Sequence, residues 1–501
     1  MSDQQAPQIR VDDYVKGDLS KETNWWGAFV VGLAGTILVT GITGPTIAGL
    51  GTAAIPNFIF WTITGWLLCM FIGELATMLP DRTGGAPAYA FYAFKDRLPK
   101  ASPHINGVTV WMYWLGWMPV MAVNMILTGA YLPVLLGFTD TSPTINLFGY
   151  PVSYFTLGVG IALSLLLFIP AYLGIKFGAA FATVLGLLSM IPLTILAVAP
   201  FFTGDFHGSN ITPFTTPGGF GFFTGHSWFL YLQFSALLTW NVIAMEAAGC
   251  YLGECRNPDR DAPIAMNLEG GYGVFIYTVL PLAVLGVLGF EFISGHAADI
   301  NGILAQYAKE VLSFAGSGKI VTSALLIALL LSSLNAIMGC ARSLYMMALD
   351  GQAPRIFGHV NRHTVPDFSM ALNVVLNILL IFAGTPGAIY VLSNVGYVGS
   401  FVPVLLGYYF LRRWRPEIHR PYRLPEWMKY IALVIAALYF IVWAVGIPAC
   451  AIEGCQLGGG KMFVIGVIIV LLYFPLNWWR RAEDKRLGTT EMKVPTPAGS
   501  V

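Results

Sequence analysis

The chain has 501 residues, of which 56% are hydrophobic and only 11% charged, with a mean hydropathy of +0.68. Soluble domains carry about 25% charged residues, so the composition excludes a soluble globular protein and implies a polytopic membrane protein. The net charge of +1, with no long basic run, removes nucleic acid as an expected partner.

Residues 1–26 are polar and of mixed charge, and read as a cytoplasmic tail without a cleavable signal pattern. A membrane span needs ~20 mostly apolar residues. Twelve stretches qualify, at 27–51, 57–79, 107–136, 152–172, 177–200, 227–253, 268–293, 318–348, 367–384, 387–412, 429–448 and 462–480. Residues 481–501 form a second tail. If the N-terminus is inside, the outward loops hold only Lys309, Lys319 and Lys461 of the 27 Lys and Arg. The inward loops hold the rest, including Lys95, Arg97, Lys176, Arg256 and the block from Arg412 to Arg423. That is the positive-inside pattern, so both termini are expected in the cytoplasm. Residues 201–227, rich in Gly, Pro and Thr, read as a loop lying over the membrane domain. Cys69, Cys250, Cys255 and Cys340 fall in or near apolar spans and read as packed thiols. Cys450 and Cys455 flank an outward loop, where a disulfide is chemically possible.

Two spans carry breaks. The first contains "TILVTGITGPTIAGLG", whose glycines and Pro45 are poor material for a straight helix. Non-helical backbone at membrane depth survives only where it is buried in protein or lines a wet cavity. The segment from Gly41 to Pro45 is therefore expected to unwind, with Pro45 opening a second half-helix whose N-terminus attracts a carboxylate. The alternative is a glycine-rich packing face. The sixth span carries Trp240, Asn241 and Glu246 at the corresponding depth. An ionised side chain there costs at least roughly 3 kcal/mol, so Glu246 should face the bundle interior. It would serve there as a structural carboxylate or touch substrate. Interrupted helices in corresponding positions of two halves mark a transporter site between inverted repeats. Here those repeats are about 27–200 and 227–412, with two extra helices at 429–480.

Other polar residues share helix faces. In the third span Trp117, Met121, Asn124 and Thr128 lie on one face. In the eighth Ser332, Asn335 and Gly339 do so, and in the tenth Tyr390, Asn394 and Tyr397, an expected aromatic wall or gate. The competing reading of each stripe is interhelical packing. Arg342 and Asp350, at the cytoplasmic end of the eighth span, are candidates to pair with Glu74 or Glu254, as a gate or as a fixed scaffold.

Four patches carry a resemblance. "GELATMLPDRTGGAPAYAF" (73–91), Gly116-Trp117, "GCYLGECRNPDRDAPIAM" (249–266) and "SSLNAIMGCARSLYMMALDGQAPRIFGHVNRHTVP" (332–366) resemble, in order, segments of the amino acid–polyamine–organocation (APC) transporter superfamily. The resemblance implies an all-α integral membrane protein of 12 transmembrane helices. It would be a LeuT-type 5+5 inverted repeat plus two C-terminal helices, with discontinuous helices 1 and 6. It implies a permease moving an amino acid across the cell membrane by alternating access. The substrate carboxylate would meet backbone N–H groups of the first span, and the amine carbonyls of the first and sixth. On this chain those positions are Thr40, Gly41, Ile42, Thr43 and Gly44 with Trp240, Asn241, Val242, Ile243 and Ala244. The family's first-span Gly-Ser-Gly-Ile appears here as Val39-Thr40-Gly41-Ile42. Where many members place a fifth-span lysine, this chain has Gly186. Ser332 and Ser333 stand where sodium-coupled relatives place hydroxyl ligands, which leaves Na+ and H+ both open as coupling ion.

Rival functions find less support. No His/Cys/Asp/Glu cluster has metal-site spacing, no phosphate-binding Gly-rich motif is present, and no resident cofactor or enzymatic activity is expected. A carrier of a small amine or polyamine would need an acidic site, an amino-acid exchanger would not, and a sensor on the same scaffold is a third possibility.

Overall fold

The computed structural model describes residues 19–85, 89–222, 224–297, 299–314, 316–450 and 459–490. Among them, ten segments are long and apolar enough to cross a membrane. The longer helices are α1 (Trp25–Thr36), α2 (Val39–Leu50), α3 (Ala54–Met78), α4 (Ser102–Trp117), α5 (Val120–Leu136), α6 (Tyr154–Tyr172), α7 (Ile175–Val198) and α8 (Trp228–Ile243). They continue with α9 (Pro258–Gly295), α10 (Ile300–Leu312), α11 (Ser317–Leu349), α12 (Asp367–Ile381), α13 (Pro386–Trp414), α14 (Met428–Ile441), α15 (Gly459–Leu471) and α16 (Tyr473–Leu487). The described β structure is slight: the antiparallel pair Thr144–Ile145 and Val152–Ser153, and two isolated bridges.

Two populations of apolar side chains explain the packing. Those on α1, α3, α9 and α11 are mostly buried in one continuous core. The outer helices instead expose theirs at helical spacing, as Val184, Leu188, Ile191 and Ile195 do along α7. Water would penalise such a stripe, whereas hydrocarbon accepts it.

The first break lies earlier than the glycines suggest. Ile37 and Leu38 separate α1 from α2, both with ψ near zero (−2° and 2°). The chain is helical from Val39 onward, through Pro45. The expectation that Gly41 to Pro45 unwinds is thus corrected. Proline at the seventh position of α2 lacks only an N–H whose acceptor would have been Gly41, at the helix start. Just before the break, Gly35 lets α1 approach the other discontinuity: a side chain there would collide with the Ala244 carbonyl.

The second break is a change of helix type. After Ile243 the chain runs as a 3₁₀ helix over Ala244–Glu254, 11 residues, all of them buried. Such runs rarely exceed 3–4 residues, and long ones mark hinges. A third interruption, at Met118 and Pro119 between α4 and α5, was not expected from sequence. Asn377 of α12 holds it, accepting from the Ala122 N–H at 2.7 Å and donating to the Met118 carbonyl at 2.6 Å.

Residues 201–227 pack on the helices as expected, with the His207 N–H and the Asn210 amide donating to the Gly286 carbonyl at 3.1 and 2.9 Å. The amphipathic helix α10 has no counterpart among the predicted spans. Ile303, Leu304, Tyr307, Ala308 and Val311 form its buried face, a spacing that was readable in the sequence. The thiols of Cys69, Cys250, Cys255 and Cys340 are free and buried. Cys450 is disulfide-bonded, and Cys455 lies outside the described residues.

Candidate substrate-binding site

A cavity of about 220 Å³ lies where the breaks converge. Leu38, Thr40, Gly41, Ile42 and Pro45 supply one wall, from the start of α2. Pro119 of the interruption and Val120, Val123, Asn124, Leu127 and Tyr131 of α5 follow, and Leu237, Trp240 and Asn241 come from α8. Ile300, Leu325, Ala328, Leu329, Pro386, Gly387, Tyr390, Val391 and Ser393 complete the lining. None of these residues is ionisable at neutral pH.

Three polar elements face this apolar chamber. The first is the N-terminal turn of α2, which carries the positive end of the helix dipole, although its Gly41 N–H already donates to the Leu38 carbonyl at 3.1 Å. The second is Asn124, whose amide N–H group donates to the Leu329 carbonyl and the Ser333 hydroxyl, each at 3.2 Å. The third is Asn241, which donates to the Leu237 carbonyl at 2.9 Å and to the Tyr390 hydroxyl at 2.5 Å. With their nitrogens engaged, the two amides offer a ligand their oxygens.

The floor is aromatic. Trp240 sits 5.0 Å from Tyr390, 5.7 Å from Tyr397 and 6.1 Å from Trp117, measured between ring centroids. Its indole N–H donates to Ser393 at 2.9 Å, and Ser393 donates to the Gly116 carbonyl at 2.5 Å. Beneath the rings lies Glu246, fully buried. One carboxylate oxygen accepts from Tyr397 at 2.6 Å, Tyr113 at 2.8 Å and the Trp117 indole at 3.4 Å. The other oxygen has no protein partner. Glu246 is therefore held by aromatic donors behind the cavity and does not line it. Tyr113, one helical turn before Trp117, was missed in the sequence although it shares that face.

The residues expected to bind substrate divide accordingly. Thr40, Gly41, Ile42, Asn124, Trp240, Asn241 and Tyr390 line the cavity. Thr43, Gly44, Val242, Ile243 and Ala244 do not. The Thr43 hydroxyl returns to the Val39 carbonyl at 2.8 Å, and Gly44 faces Ile303. Val242 packs on Gly65, and Ala244 on Gly35. The Asn241 carbonyl, an expected amine ligand, already lies 3.4 Å from the Tyr277 hydroxyl, which donates to the Gly35 carbonyl at 3.1 Å. Tyr397 supports Glu246 rather than walling the cavity.

At the α1 side of the breaks lie arginine–carboxylate ion pairs. Glu254 accepts two guanidinium N–H groups of Arg342, the second at 2.9 Å. Asp350 pairs with Arg82 through two bonds of 2.8 and 2.6 Å. Glu74 is gripped by Arg412 at 2.9 and 2.5 Å, with Arg420 at 3.2 Å. Of the expected partners Arg342 found Glu254. Asp350 and Glu74 instead took arginines that sequence reasoning had not considered. Ser333 donates to the Leu329 carbonyl at 2.8 Å and Ser332 is buried without a protein partner. Gly186 packs on Leu33 of α1.

This geometry, broken helices around an uncharged cavity, coincides with a match to the profile of the amino acid permease family over residues 24–474. The chain belongs to that family. It is thereby a transporter of the APC superfamily, embedded in the membrane through multiple spans. It is 20% identical to an uncharacterized amino acid permease of Bacillus subtilis over 408 residues, 80% of this chain and 86% of the relative. It is 26% identical to a proline-specific permease of Emericella nidulans (76% of this chain, 69% of the relative). It is 23% identical to an L-asparagine permease of Mycobacterium bovis (89% and 87%).

Proposed function

We propose that the permease moves a neutral α-amino acid with an apolar side chain across the cytoplasmic membrane by alternating access. The observation that carries this reading is the cavity itself, which has a helix N-terminus at one wall, two amide oxygens, and no acidic or basic side chain. A carboxylate is suited to the α2 N-terminus. An ammonium group is suited to the oxygens of Asn124 and Asn241. The aliphatic remainder would accept an apolar side chain, since burying apolar surface is favourable and burying an unpaired charge is costly. A polyamine or a basic amino acid would need a carboxylate that the lining lacks. About 220 Å³ falls below the ~300–1,000 Å³ of drug-sized sites, in keeping with a single small solute.

Twelve crossings follow if the 54 residues of Trp25–Met78 cross twice and the shorter apolar helix Asp367–Ile381 crosses once. The lysine and arginine distribution then puts both termini in the cytoplasm. On that orientation the cavity faces outward while the arginine–carboxylate pairs seal the cytoplasmic side. The two repeats of a LeuT-type fold would be α1 to α7 and α8 to α13, with the breaks as hinges. Alternating access would open the second side by separating those pairs.

The test is uptake of labelled amino acids and amines into proteoliposomes, with proline first because of the Emericella relative's name. Saturable uptake of apolar zwitterions, with arginine and putrescine excluded, is the expected result. Preferential uptake of a cationic solute would overturn the reading.

A further inference from the structure

A second buried carboxylate lies outside the cavity and outside every ion pair described above. Glu269 sits about three turns into α9 and has no exposed surface. Thr36, the last residue of α1, donates its hydroxyl to one carboxylate oxygen at 2.7 Å. The other oxygen has no protein partner. It rests over Gly32, where any side chain would run into both this oxygen and the Ala248 backbone. A pocket the size of a carboxyl group is thus formed among α1, α9 and the 3₁₀ helix.

Among the described residues, no cation stands beside Glu269. Helices α1 and α2 carry no ionisable side chain, and α7 carries only Lys176, exposed in its first turn. From α3 come the Cys69 thiol and Glu74, the latter held by Arg412. The 3₁₀ helix brings Glu254, held by Arg342, with Cys250, Tyr251 and Glu246. Glu246 is the other carboxyl without an arginine partner. A carboxylate in such a place is stable when neutral and strongly disfavoured when ionised.

Building on the transport reading above, we infer that Glu269 is the proton-binding site through which a proton gradient drives this permease. Its position supplies the coupling. Thr36 ends α1, and Leu38, two residues on, already lines the cavity. The carboxyl therefore holds the backbone at the break that a bound solute touches on its other side. The step is a plain protonation: a carboxylate takes one proton from one aqueous phase to become a carboxylic acid and returns it to the other. In the conformation seen here Glu269 is sealed, so exchange with water requires the α1–α2 break to move. Sodium is less well served. Of the two expected hydroxyl ligands, Ser333 is already hydrogen-bonded and Ser332 alone is uncommitted.

The experiment compares wild type with Glu269→Gln, whose amide approximates the neutral acid, in the same proteoliposomes. Wild type should accumulate substrate above equilibrium under an inward proton gradient without sodium. Glu269→Gln should lose accumulation yet retain exchange of labelled for unlabelled substrate. Accumulation by Glu269→Gln equal to wild type, or accumulation by wild type only with sodium, overturns the inference. If wild type transports no member of the panel, the amino-acid reading fails and infrared spectroscopy still decides about Glu269. A protonated-carboxyl band that titrates in the wild type and is missing from Glu269→Gln supports the site, and its absence overturns it. If Glu269→Gln does not fold, Thr36→Val serves in its place. The hydroxyl donates to the charged form, so removing it should move the titration of that band to higher pH, and an unmoved band overturns the inference.

Discussion

Carboxylates inside the bundle fall into two groups that differ in a single respect. Glu74, Glu254 and Asp350 each meet an arginine, whereas Glu246 and Glu269 meet only hydroxyls and an indole N–H and keep one oxygen unpartnered. The paired group lies on the α1 side of the breaks, and the unpaired group lies at the breaks themselves. A buried ion pair is costly to form and more costly to break by halves. It suits a seal that must be either whole or fully separated. A lone carboxyl can change its charge by one proton without disturbing the packing, which suits a moving part.

The largest expected effect comes from halving an ion pair. Arg342→Met leaves Glu254 charged and uncompensated, and should destabilise the permease by about 3–5 kcal/mol. Melting of the purified protein in detergent would show this as a large fall in midpoint. Combining Arg342→Met with Glu254→Leu should recover most of the loss, because the double change removes the stranded charge. If the double variant melts no higher than the single one, the pair is not what holds this end together.

Glu246→Gln should cost far less, about 1 kcal/mol. The amide oxygen can still accept from Tyr113, Tyr397 and Trp117, and only the new N–H₂ group lacks a partner. A loss as large as that of Arg342→Met would abolish the distinction between the two groups, and would mean that Glu246 is charged in the resting protein.

The sequence exposed one of these groups better than the other. Glu246 stands out because it interrupts an apolar run, and Arg342 because it follows one. Glu269 was overlooked because hydropathy starts the seventh span at 268, which puts an acid harmlessly at its edge. The helix in fact starts at Pro258 and carries Glu269 deep into the bundle. An acid followed by Gly270 and Gly271, with no basic neighbour inside the apolar run, was the available signal. Arg82 and Arg412 were invisible as partners for a different reason: which arginine meets which acid depends on tertiary packing across more than 260 residues of chain. The first break was located only to within a few residues. Glycine and proline content marks where a helix tolerates a break, and the break itself falls just after Gly35, where α1 meets Ala244. The cavity residues on α2, α5, α8 and α13 were largely legible, since a lone Asn or Trp in an apolar run has few other reasons to be there.

A smaller effect is expected within the cavity. Tyr390→Phe removes the hydroxyl that accepts from Asn241 and donates to the Leu237 carbonyl at 3.1 Å. The freed amide can turn, and the ligand loses an oriented oxygen. The expected loss is ~1–1.5 kcal/mol of binding, about a tenfold rise in KM, with the maximal rate little changed. An unchanged KM with a reduced rate would move Tyr390 from binding to gating.

The smallest effect belongs to the one described ion pair that joins the N-terminal segment to the end of α3. Lys21 meets Asp81 at 2.5 Å, but both side chains are partly exposed, at 39% and 22%. Exposed pairs contribute ~0–1 kcal/mol because water screens them and ordering two side chains costs entropy. The segment has other anchors: the Thr23 N–H donates to the Glu254 carbonyl at 3.2 Å, and Leu19 packs against Tyr345, Met346 and Leu349. Lys21→Ala should therefore leave the melting midpoint almost unmoved, at any salt concentration. A large, salt-sensitive loss would instead place this pair with the arginine seals, and the contrast between buried and exposed partners would no longer explain which contacts hold the closed side.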